Sequence, residues 1–176
     1  MGNIKYKLYK VLWMIVWTIC IRPFPRRSVS ILSCALLRLF GAKIGKGCCI
    51  YSSAKILVPY NLVLGDNVVL ADRLLIQNTA LIEIKNNSII SQGTYLCAGS
   101  HDIYKESFDT VRKPIIIGES VWIAAECFVG PGVHIGDGAV AGACSCIFKD
   151  VESCTLVGGN PAKPIKKIPY IKRRSK

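Results

Sequence analysis

Few side chains of this sequence can exchange a proton near neutral pH. The chain contains two histidines, His101 and His134, and imidazole is the side chain that titrates closest to that range. His101 stands directly before an irregular stretch. His134 lies inside an uninterrupted repeat, where a solvated turn position is the favoured interpretation. His101 is therefore the candidate general base, able to take a proton from an attacking hydroxyl group.

The nine cysteines predict neither a disulfide framework nor a metal site. Their number is odd, and several stand where a small apolar residue is needed, as Cys48 and Cys127 do. Cys144 and Cys146 have no nearby histidine with which to complete a tetrahedral zinc site. We expect free thiols in a reducing cytoplasm and no bound metal.

The chain is apolar and strongly basic. Of its 176 residues, 51% are hydrophobic, and 23 Lys and Arg stand against 11 Asp and Glu, for a net charge of +12. This balance favours anionic partners. Nucleic acid is not favoured, because the basic residues concentrate at the two ends and no aromatic and basic stripe is present. Phosphorylated cofactors and anionic lipid head groups remain.

A large apolar residue recurs every six residues over most of the chain. The fifteen positions are Ile44, Ile50, Ile56, Leu64, Leu70, Ile76, Ile84, Ile90, Leu96, Ile117, Ile123, Val129, Ile135, Ala141 and Ile147. Neither an amphipathic helix nor a half-buried strand has this period. It predicts an all-β prism of short parallel strands, in which three hexapeptides form one coil. Accidental spacing in another β-rich protein is disfavoured, since all but one of the positions are Ile, Leu or Val.

Small and polar residues mark the corners of the prism. Gly and Asn cluster at 65–67, 86–87 and 136–138, and these residues tolerate the positive φ angles of tight turns. Small or β-branched companions stand four residues after the large positions, with Ser100 as the companion of Leu96. Stacked coils would pair their strands about 4.7–4.9 Å apart.

The period is absent from both ends of the chain. We predict an N-terminal helical segment at 1–40, a β-helix at 41–157 and a basic C-terminal segment at 158–176. A short helix at 29–40 is expected to cover the first coil, whose core and strand edges would otherwise be exposed.

An apolar run from Val11 to Ile21, flanked by basic residues, contains Trp13 and Trp17. As a helix it is about 17 Å long, too short to span a hydrocarbon core of ~30 Å. Two interpretations stay open. Residues 5–27 lie at a membrane surface, or the helix packs on the protein's own trimer or on the open end of the prism.

The period stops after Leu96 and resumes at Ile117, which predicts a long loop at 102–116 that starts directly after His101. Loops of this length in a compact repeat are usually functional or disordered. Five motifs follow one another here: Gly-Ser-His-Asp at 99–102, Lys-Pro-Ile-Ile-Ile-Gly at 113–118, Val-Trp-Ile-Ala at 121–124, Pro-Gly-Val at 131–133 and Gly-Asn-Pro-Ala at 159–162.

These motifs resemble those of the hexapeptide-repeat acetyltransferases, in the galactoside and maltose acetyltransferase branch. The resemblance is greatest to the colanic-acid-type polysaccharide O-acetyltransferases and extends from about Arg22 to Ile168. It implies a left-handed parallel β-helix, a homotrimer, and transfer of an acetyl group from acetyl-CoA to a sugar hydroxyl in clefts between subunits. Surface polysaccharide biosynthesis is the implied setting. His101 matches the family's general base, so direct attack would need no covalent enzyme intermediate.

The resemblance also implies six cofactor-binding positions. They are Trp122 lining the cofactor channel, Ala125 as a backbone N–H donor to the oxyanion, Gly142 and Ala143 beside the pantetheine, and Lys163 and Lys166 at the phosphates of acetyl-CoA. Phe148 departs from the family, which often has Thr there.

Acceptor recognition is expected from Asn78, Asp72 and Asp102, each of which also suits a turn. Asn78 would stack under His101, and Asp102 would orient a sugar hydroxyl or the imidazole. Two other functions stay open, an N-acyltransferase acting on an amino sugar nucleotide and a non-catalytic β-helix scaffold. A γ-type carbonic anhydrase is disfavoured, because its metal needs three histidines. The expected location is the cytoplasm, peripheral at the inner face of the membrane.

Overall fold

A left-handed parallel β-helix preceded by two α-helices forms the chain in the computed structural model, which describes residues 2–25 and 27–172. The helices are α1 (Gly2–Cys20) and α2 (Ser30–Leu39). The strands, in chain order, are β1 (Lys43–Ile44), β2 (Cys49–Ile50), β3 (Lys55–Ile56), β4 (Leu62–Leu64), β5 (Val69–Leu70), β6 (Leu75–Gln77), β7 (Ile82–Ile84), β8 (Ile89–Ile90), β9 (Tyr95–Cys97), β10 (Gly99–His101), β11 (Thr110–Arg112), β12 (Ile115–Ile117), β13 (Trp122–Ile123), β14 (Phe128–Val129), β15 (His134–Ile135), β16 (Val140–Ala141), β17 (Cys146–Ile147), β18 (Thr155–Gly158) and β19 (Lys163–Lys167).

Three sheets form the sides of the prism. Sheet A has the order β1-β4-β7-β12-β15, sheet B the order β2-β5-β8-β13-β16-β18-β19, and sheet C the order β3-β6-β9-β14-β17. Every pairing within them is parallel except that of β18 with β19, which is antiparallel. The chain therefore visits the three sides in turn, and each coil hydrogen-bonds to the next.

The six-residue period is confirmed, because its fifteen positions form three stacks, one for each sheet. Sheet A pairs Ile44, Leu64, Ile84, Ile117 and Ile135; sheet B pairs Ile50, Leu70, Ile90, Ile123 and Ala141; sheet C pairs Ile56, Ile76, Leu96, Val129 and Ile147. All of them are buried except Ile44, which is half-buried. Burial of each such side chain stabilises the fold by about 1.5–3 kcal/mol.

The break in the period is a β-hairpin. Strands β10 and β11 pair antiparallel, with His101 opposite Thr110. The long loop is confirmed, but its ends are shifted, since the chain leaves the prism at Gly99 and Ile115 already pairs with Ile82 in sheet A. Ser100 is exposed on β10 and is not the inward companion that the period predicted, because the hairpin has already left the prism.

Side chains of α2 cover two open edges of the first coil. No coil precedes the first coil, so the backbone groups along its open edges have no strand partner. On sheet A, the Arg38 guanidinium donates to the carbonyl oxygen of Ile44 at 3.1 Å. On sheet B, the Ser30 hydroxyl donates to the carbonyl oxygen of Cys48 at 3.2 Å and accepts from the N–H of Ile50 at 2.9 Å.

Two indoles of α1 cover the third edge, on sheet C. Trp13 donates its indole N–H to the carbonyl oxygen of Ile56 at 2.6 Å, and Trp17 donates to that of Ala54 at 3.0 Å. Their exposed fractions are 1% and 5%. The face of α1 that carries Trp13 and Trp17 therefore packs on the open end of the prism, as one of the two interpretations predicted.

Helix α1 begins before the predicted apolar run and ends at Cys20. In the described part of the chain, neither helix has both the length and the apolar content that a bilayer crossing requires. The predicted basic flank at 5–27 includes Arg26, which lies outside the described residues, as do 173–176 of the basic C-terminal segment. The division of the chain at residues 40 and 157 stays a prediction.

The cysteines are free thiols, and Cys127 and Cys48 contribute to the apolar core of the prism. Cys127 is buried and Cys48 is half-buried, each at its companion position. Burial raises the pKa of both thiols and raises that of Cys34 to about 11. These thiols are therefore neutral at physiological pH, and they pack as small apolar side chains.

Replacing Trp13 with Phe tests the edge-capping function of α1. The phenyl ring keeps most of the packing, but the carbonyl oxygen of Ile56 loses its donor, which should lower the free energy of unfolding by about 1–3 kcal/mol. Equilibrium urea unfolding at fixed protein concentration measures the change. Leu12→Ala, on the exposed side of the same helix, is the control and should alter stability by less than ~0.5 kcal/mol. Equal effects of the two substitutions would contradict the capping function.

Candidate active site

His101 lies at the end of β10, at the corner where the chain passes from sheet C to sheet A. Its Nδ1 atom is 2.9 Å from the carbonyl oxygen of Phe108 across the hairpin. A carbonyl oxygen can only accept a hydrogen bond, so in the neutral imidazole Nδ1 carries the proton and Nε2 keeps the lone pair. The hairpin thus holds the ring in the tautomer that can accept a proton at Nε2.

Phe108 also fixes the plane of the imidazole. The two rings are stacked, with centroids 4.4 Å apart and an interplanar angle of 3°. Phe108 has a φ angle of +46°, in the left-handed region that a bulky residue rarely adopts. Such a conformation persists only where surrounding structure imposes it. No local sequence pattern marks Phe108, because its stacking on the imidazole depends on the antiparallel pairing of the hairpin.

Asp102 organises the hairpin turn. Its carboxylate accepts the backbone N–H of Tyr104 at 3.1 Å and lies 3.9 Å from the Lys105 ammonium, and its own N–H donates to the carbonyl oxygen of Asp109 at 2.9 Å. The bonds formed by Asp102 therefore hold the turn and not the imidazole. It nevertheless borders the same cavity as His101.

An open cavity of about 490 Å³ adjoins His101. Its lining residues are Ser100, His101, Asp102, Ile103, Tyr104, Val111, Lys113 and Pro131. All but the last two belong to the hairpin. The cavity has room for part of a sugar and offers polar groups beside the base.

The expected cofactor residues converge on a different corner, between sheets B and C. Ala125 and Ala143 lie there one coil apart, and the N–H of Cys144 donates to the carbonyl oxygen of Ala125 at 2.9 Å. Gly142 precedes Ala143, and its N–H donates to the carbonyl oxygen of Val157 at 2.9 Å. We call this set of small residues the small-residue corner, defined by Ala125, Gly142 and Ala143.

The other predicted cofactor residues lie on sheet B, which leads into this corner. The Trp122 indole N–H donates to the Ser91 hydroxyl at 3.0 Å, and the ring is 42% exposed. Lys163 pairs with Gly158 and Lys166 with Leu156, both on β18, which lies next to β16. Both lysines are exposed. Residues distant in sequence therefore share one sheet.

The N–H of Ala125 has no hydrogen-bond acceptor in the described part of the chain. It is free to donate to a ligand. A Cβ atom on Gly142 would meet the carbonyl oxygen of Val157 at 3.5 Å, an ordinary contact distance, so a Cβ atom fits at this position without a clash.

An aromatic ladder covers part of sheet C between the two corners. Tyr95 packs edge-on against Phe128 with centroids 5.4 Å apart, and Phe128 contacts Phe148 at 5.5 Å. Burial raises the pKa of Tyr95 to about 12, so its hydroxyl stays protonated and donates to the side-chain oxygen of Gln77. Phe148, the residue that departs from the family pattern, closes this ladder and is 57% exposed.

The structure does not bring Asn78 and Asp72 to His101. Asn78 is level with Ala98 and not with His101, because Gln77 pairs with Cys97. It is fully buried, with its amide bonded to the backbone of Val58 at 2.9 and 2.6 Å. This arrangement corrects the expectation that Asn78 stacks under the base.

Asp72 is also mostly buried, with 8% of its surface exposed. It accepts a hydrogen bond from the Ser53 hydroxyl and lies 3.9 Å from the Arg73 guanidinium. Both Asp72 and Asn78 act as corner residues within this chain, since buried polar groups must find partners there.

His134 is separate from the cavity at His101. It lies on β15 with its side chain 59% exposed, and its Nδ1 is 3.8 Å from a carboxylate oxygen of Asp150. Its surroundings are those of a solvated surface histidine. Within residues 2–25 and 27–172, no three His, Cys, Asp or Glu side chains are arranged to hold a metal ion.

The base and the small-residue corner lie on different edges of the prism, with sheet C between them. Ala125, Gly142 and Ala143 are not among the residues that line the cavity at His101 in the single chain.

Comparisons with known proteins identify the family and the fold. The chain is 47% identical over 131 residues to the "Putative colanic acid biosynthesis acetyltransferase WcaF" of Escherichia coli (strain K12), covering 74% of this chain and 72% of that protein. No family model matches the chain.

Two solved structures share the fold. A hexapeptide-repeat-containing acetyltransferase from Vibrio cholerae O1 biovar eltor, complexed with acetyl coenzyme A, has a TM-score of 0.85 at 22% identity over 96% of this chain and 91% of that chain. A galactoside acetyltransferase in complex with coenzyme A has a TM-score of 0.85 at 20% identity, covering 99% of this chain and 92% of that chain.

Nitrogen-15 NMR of His101 tests the tautomer that the hairpin imposes. In a His134→Asn background, His101 is the remaining histidine. Its neutral ring should show a protonated Nδ1 and an unprotonated Nε2, because Nδ1 donates to the carbonyl oxygen of Phe108. A neutral ring protonated at Nε2 would contradict the assignment of that atom as the proton acceptor.

Proposed function

The chain belongs to the hexapeptide-repeat acetyltransferases of the colanic-acid type, and from this membership we propose that it transfers an acetyl group from acetyl-CoA to a hydroxyl group of a sugar. Surface polysaccharide biosynthesis is the proposed setting. The observation that carries the proposal is an imidazole held as the Nδ1–H tautomer beside an open polar cavity.

In the proposed reaction His101 is the general base. Nε2 takes the proton of the sugar hydroxyl while the hydroxyl oxygen attacks the thioester carbonyl carbon. The carbon–sulfur bond of the resulting tetrahedral species then breaks, and the imidazolium returns the proton to the departing thiolate. The products are an acetylated sugar and coenzyme A, and the base regains its starting state.

The small-residue corner is the proposed site for acetyl-CoA. Gly142 and Ala143 leave room for the extended thiol arm, and the unpaired N–H of Ala125 can donate to the negative oxygen of the tetrahedral species. Trp122 lies on sheet B, which leads into this corner. Lys163 and Lys166 offer ammonium groups to the phosphates of acetyl-CoA.

A homotrimer is proposed, because the base and the small-residue corner lie on different edges of one prism. If the hairpin of one subunit meets the small-residue corner of the next, each cleft contains both. The exposed tip of the hairpin supports this arrangement, since Ile103 is 72% exposed and Tyr104 is 93% exposed in the single chain. Asp102 at this tip is the proposed acceptor contact that remains beside His101.

The alternative enzyme is an N-acyltransferase that uses the same base on an amino sugar nucleotide. The proposed location is the cytoplasm, in agreement with nine free thiols. Residues 5–27 are the proposed contact with the inner face of the membrane.

Turnover by the His101→Ala variant tests the proposed chemistry. Release of free thiol from acetyl-CoA, measured with a panel of saccharides that have hydroxyl groups and no amine, should occur with the wild-type protein. It should fall by about 10²–10⁴ in His101→Ala, because the attacking hydroxyl loses its base. His134→Ala is the matched control and should keep wild-type turnover.

Near-wild-type turnover of His101→Ala would remove His101 from the mechanism. Turnover with amino sugar nucleotides but with no hydroxyl-only saccharide would favour the N-acyltransferase. Failure with every acceptor of both kinds would favour the scaffold.

Mixed trimers test whether each site is shared between subunits. His101→Ala lacks the base, and Gly142→Trp blocks the small-residue corner from a position where the added Cβ atom meets no clash. Either variant alone should be inactive. Unfolding and refolding the two together at equal amounts should restore about one quarter of wild-type activity, because random assembly gives some clefts an intact base and an intact corner. No recovery in refolded trimers would place both parts of the site in one chain.

A further inference from the structure

Helix α1 is apolar on both of its faces. The face that carries Trp13 and Trp17 is buried against the first coil. Leu8, Leu12, Ile15 and Ile19 recur at steps of three and four residues on the other side of the helix. A surface helix of a globular protein normally has a polar outer face, so the outer face of α1 needs another explanation.

The outer face is an exposed apolar stripe. Its members are Leu8, Val11, Leu12, Met14, Ile15 and Ile19, and their exposed fractions lie between 50% and 67%. We call this set the outer stripe. Contiguous exposed apolar surface of this kind marks a contact with a protein or a membrane.

The charge around the outer stripe has one sign. No Asp or Glu precedes Asp66 in the sequence. The basic residues before it are Lys5, Lys7, Lys10, Arg22, Arg26, Arg27, Arg38, Lys43, Lys46 and Lys55. The first three belong to α1 itself. The segment before Asp66 therefore carries positive charge and no carboxylate side chain of its own.

A cavity of about 230 Å³ lies between α1 and β3, beside the outer stripe. Met14, a member of the outer stripe, borders the cavity, as do the two indole rings. Arg22 and Lys55 also line it, and both are exposed. The cavity thus combines apolar walls with two cationic side chains, the pairing that a phospholipid with a phosphate head group and an apolar chain requires.

We propose that the outer stripe of α1 docks on an anionic phospholipid surface, with α1 lying in the plane of the interface. The apolar side chains enter the boundary between head groups and acyl chains, and the lysines of α1 extend to the lipid phosphates. Arg22 and Lys55 bind a further phosphate at the mouth of the cavity. The buried tryptophans anchor the helix to the β-helix and keep the stripe outward.

Charge distinguishes this occupant from a second copy of the chain. Contact between the outer stripes of two copies would bring together two segments that contain Lys and Arg but no Asp or Glu, at a cost from like-charge repulsion. An anionic bilayer supplies both the apolar medium and the opposite charge. The proposal rests on and narrows the membrane contact proposed for residues 5–27. It is independent of the acetyl transfer, because none of the residues of the outer stripe borders the cavity at His101.

Vesicle flotation of the full chain tests the docking. The probes are phosphatidylcholine vesicles with and without phosphatidylglycerol. The wild-type protein should float with the anionic vesicles and much less with the neutral ones. Raising the salt concentration should weaken binding, because screening acts on the exposed lysines.

Two multiple variants separate the apolar and charged contributions. Leu8→Asn with Ile15→Asn and Ile19→Asn should lower the vesicle partition coefficient at least about tenfold, through loss of apolar insertion. Lys5→Gln with Lys7→Gln and Lys10→Gln should lower it by about tenfold to 100-fold on anionic vesicles, while binding to neutral vesicles is unchanged.

Matched controls change other exposed residues. Leu81→Asn with Ile171→Asn replaces apolar side chains that are 37% and 56% exposed. Lys85→Gln with Lys149→Gln and Lys172→Gln removes the same charge as the lysine variant of α1. Both controls should float like the wild-type protein, which shows that the effect depends on α1 and not on net charge or surface polarity.

Three results would overturn the proposal. The first is a wild-type protein that does not float with anionic vesicles, and the second is an apolar variant that floats as well as the wild type. The third is a change of oligomeric state in the apolar variant by sedimentation, without any change in flotation, which would assign the outer stripe to contact between copies. Acetyl transfer to a water-soluble saccharide should persist in both α1 variants, so failure of docking and failure of the proposed activity are distinguishable.

Discussion

Parallel pairing between successive coils determines where the residues of the prism lie, including those of the small-residue corner. Each large apolar residue stacks on its counterpart in the next coil, so a position in sequence becomes a position on one side of the prism. The small-residue corner follows from this register, since Ala125 and Ala143 are one coil apart. A slip of one residue would turn inward-facing side chains outward. The buried stacks therefore align the site as well as stabilising the fold.

A stacked solenoid leaves unpaired strand edges at its first coil, and this chain covers all three of them with side chains. Arg38, Ser30 and the two indoles of α1 each supply hydrogen bonds to a different sheet. The helices thus replace the missing coil. Helix α1 covers an edge with one face while its other face remains apolar and exposed. Edge capping accounts for the burial of the two tryptophans. It does not account for the exposed outer stripe, for which we propose a contact with another surface.

The one interruption of the register places the candidate base outside the prism. A side chain inside the coils would be buried, whereas the hairpin holds His101 at a corner, exposed and oriented by a backbone carbonyl and a stacked ring. The strained backbone of Phe108 belongs to this arrangement. Sheet C separates the hairpin from the small-residue corner. The candidate base and the proposed acetyl-CoA site therefore lie on different edges of one prism. The proposed sharing of the site between copies would resolve that separation.

The sequence by itself determined the prism, its corners, the helical segment and the position of the break, because a six-residue apolar period has few structural solutions and depends on local spacing alone. It also singled out His101, through the scarcity of imidazoles and the break that follows. Only the tertiary structure decided the tautomer of His101 and the stacking of Phe108 on its ring, since both depend on strand pairing across the hairpin. It likewise moved Asn78 into the core and showed which face of α1 is buried. Such facts arise from contacts between residues far apart in sequence, and no local pattern encodes them.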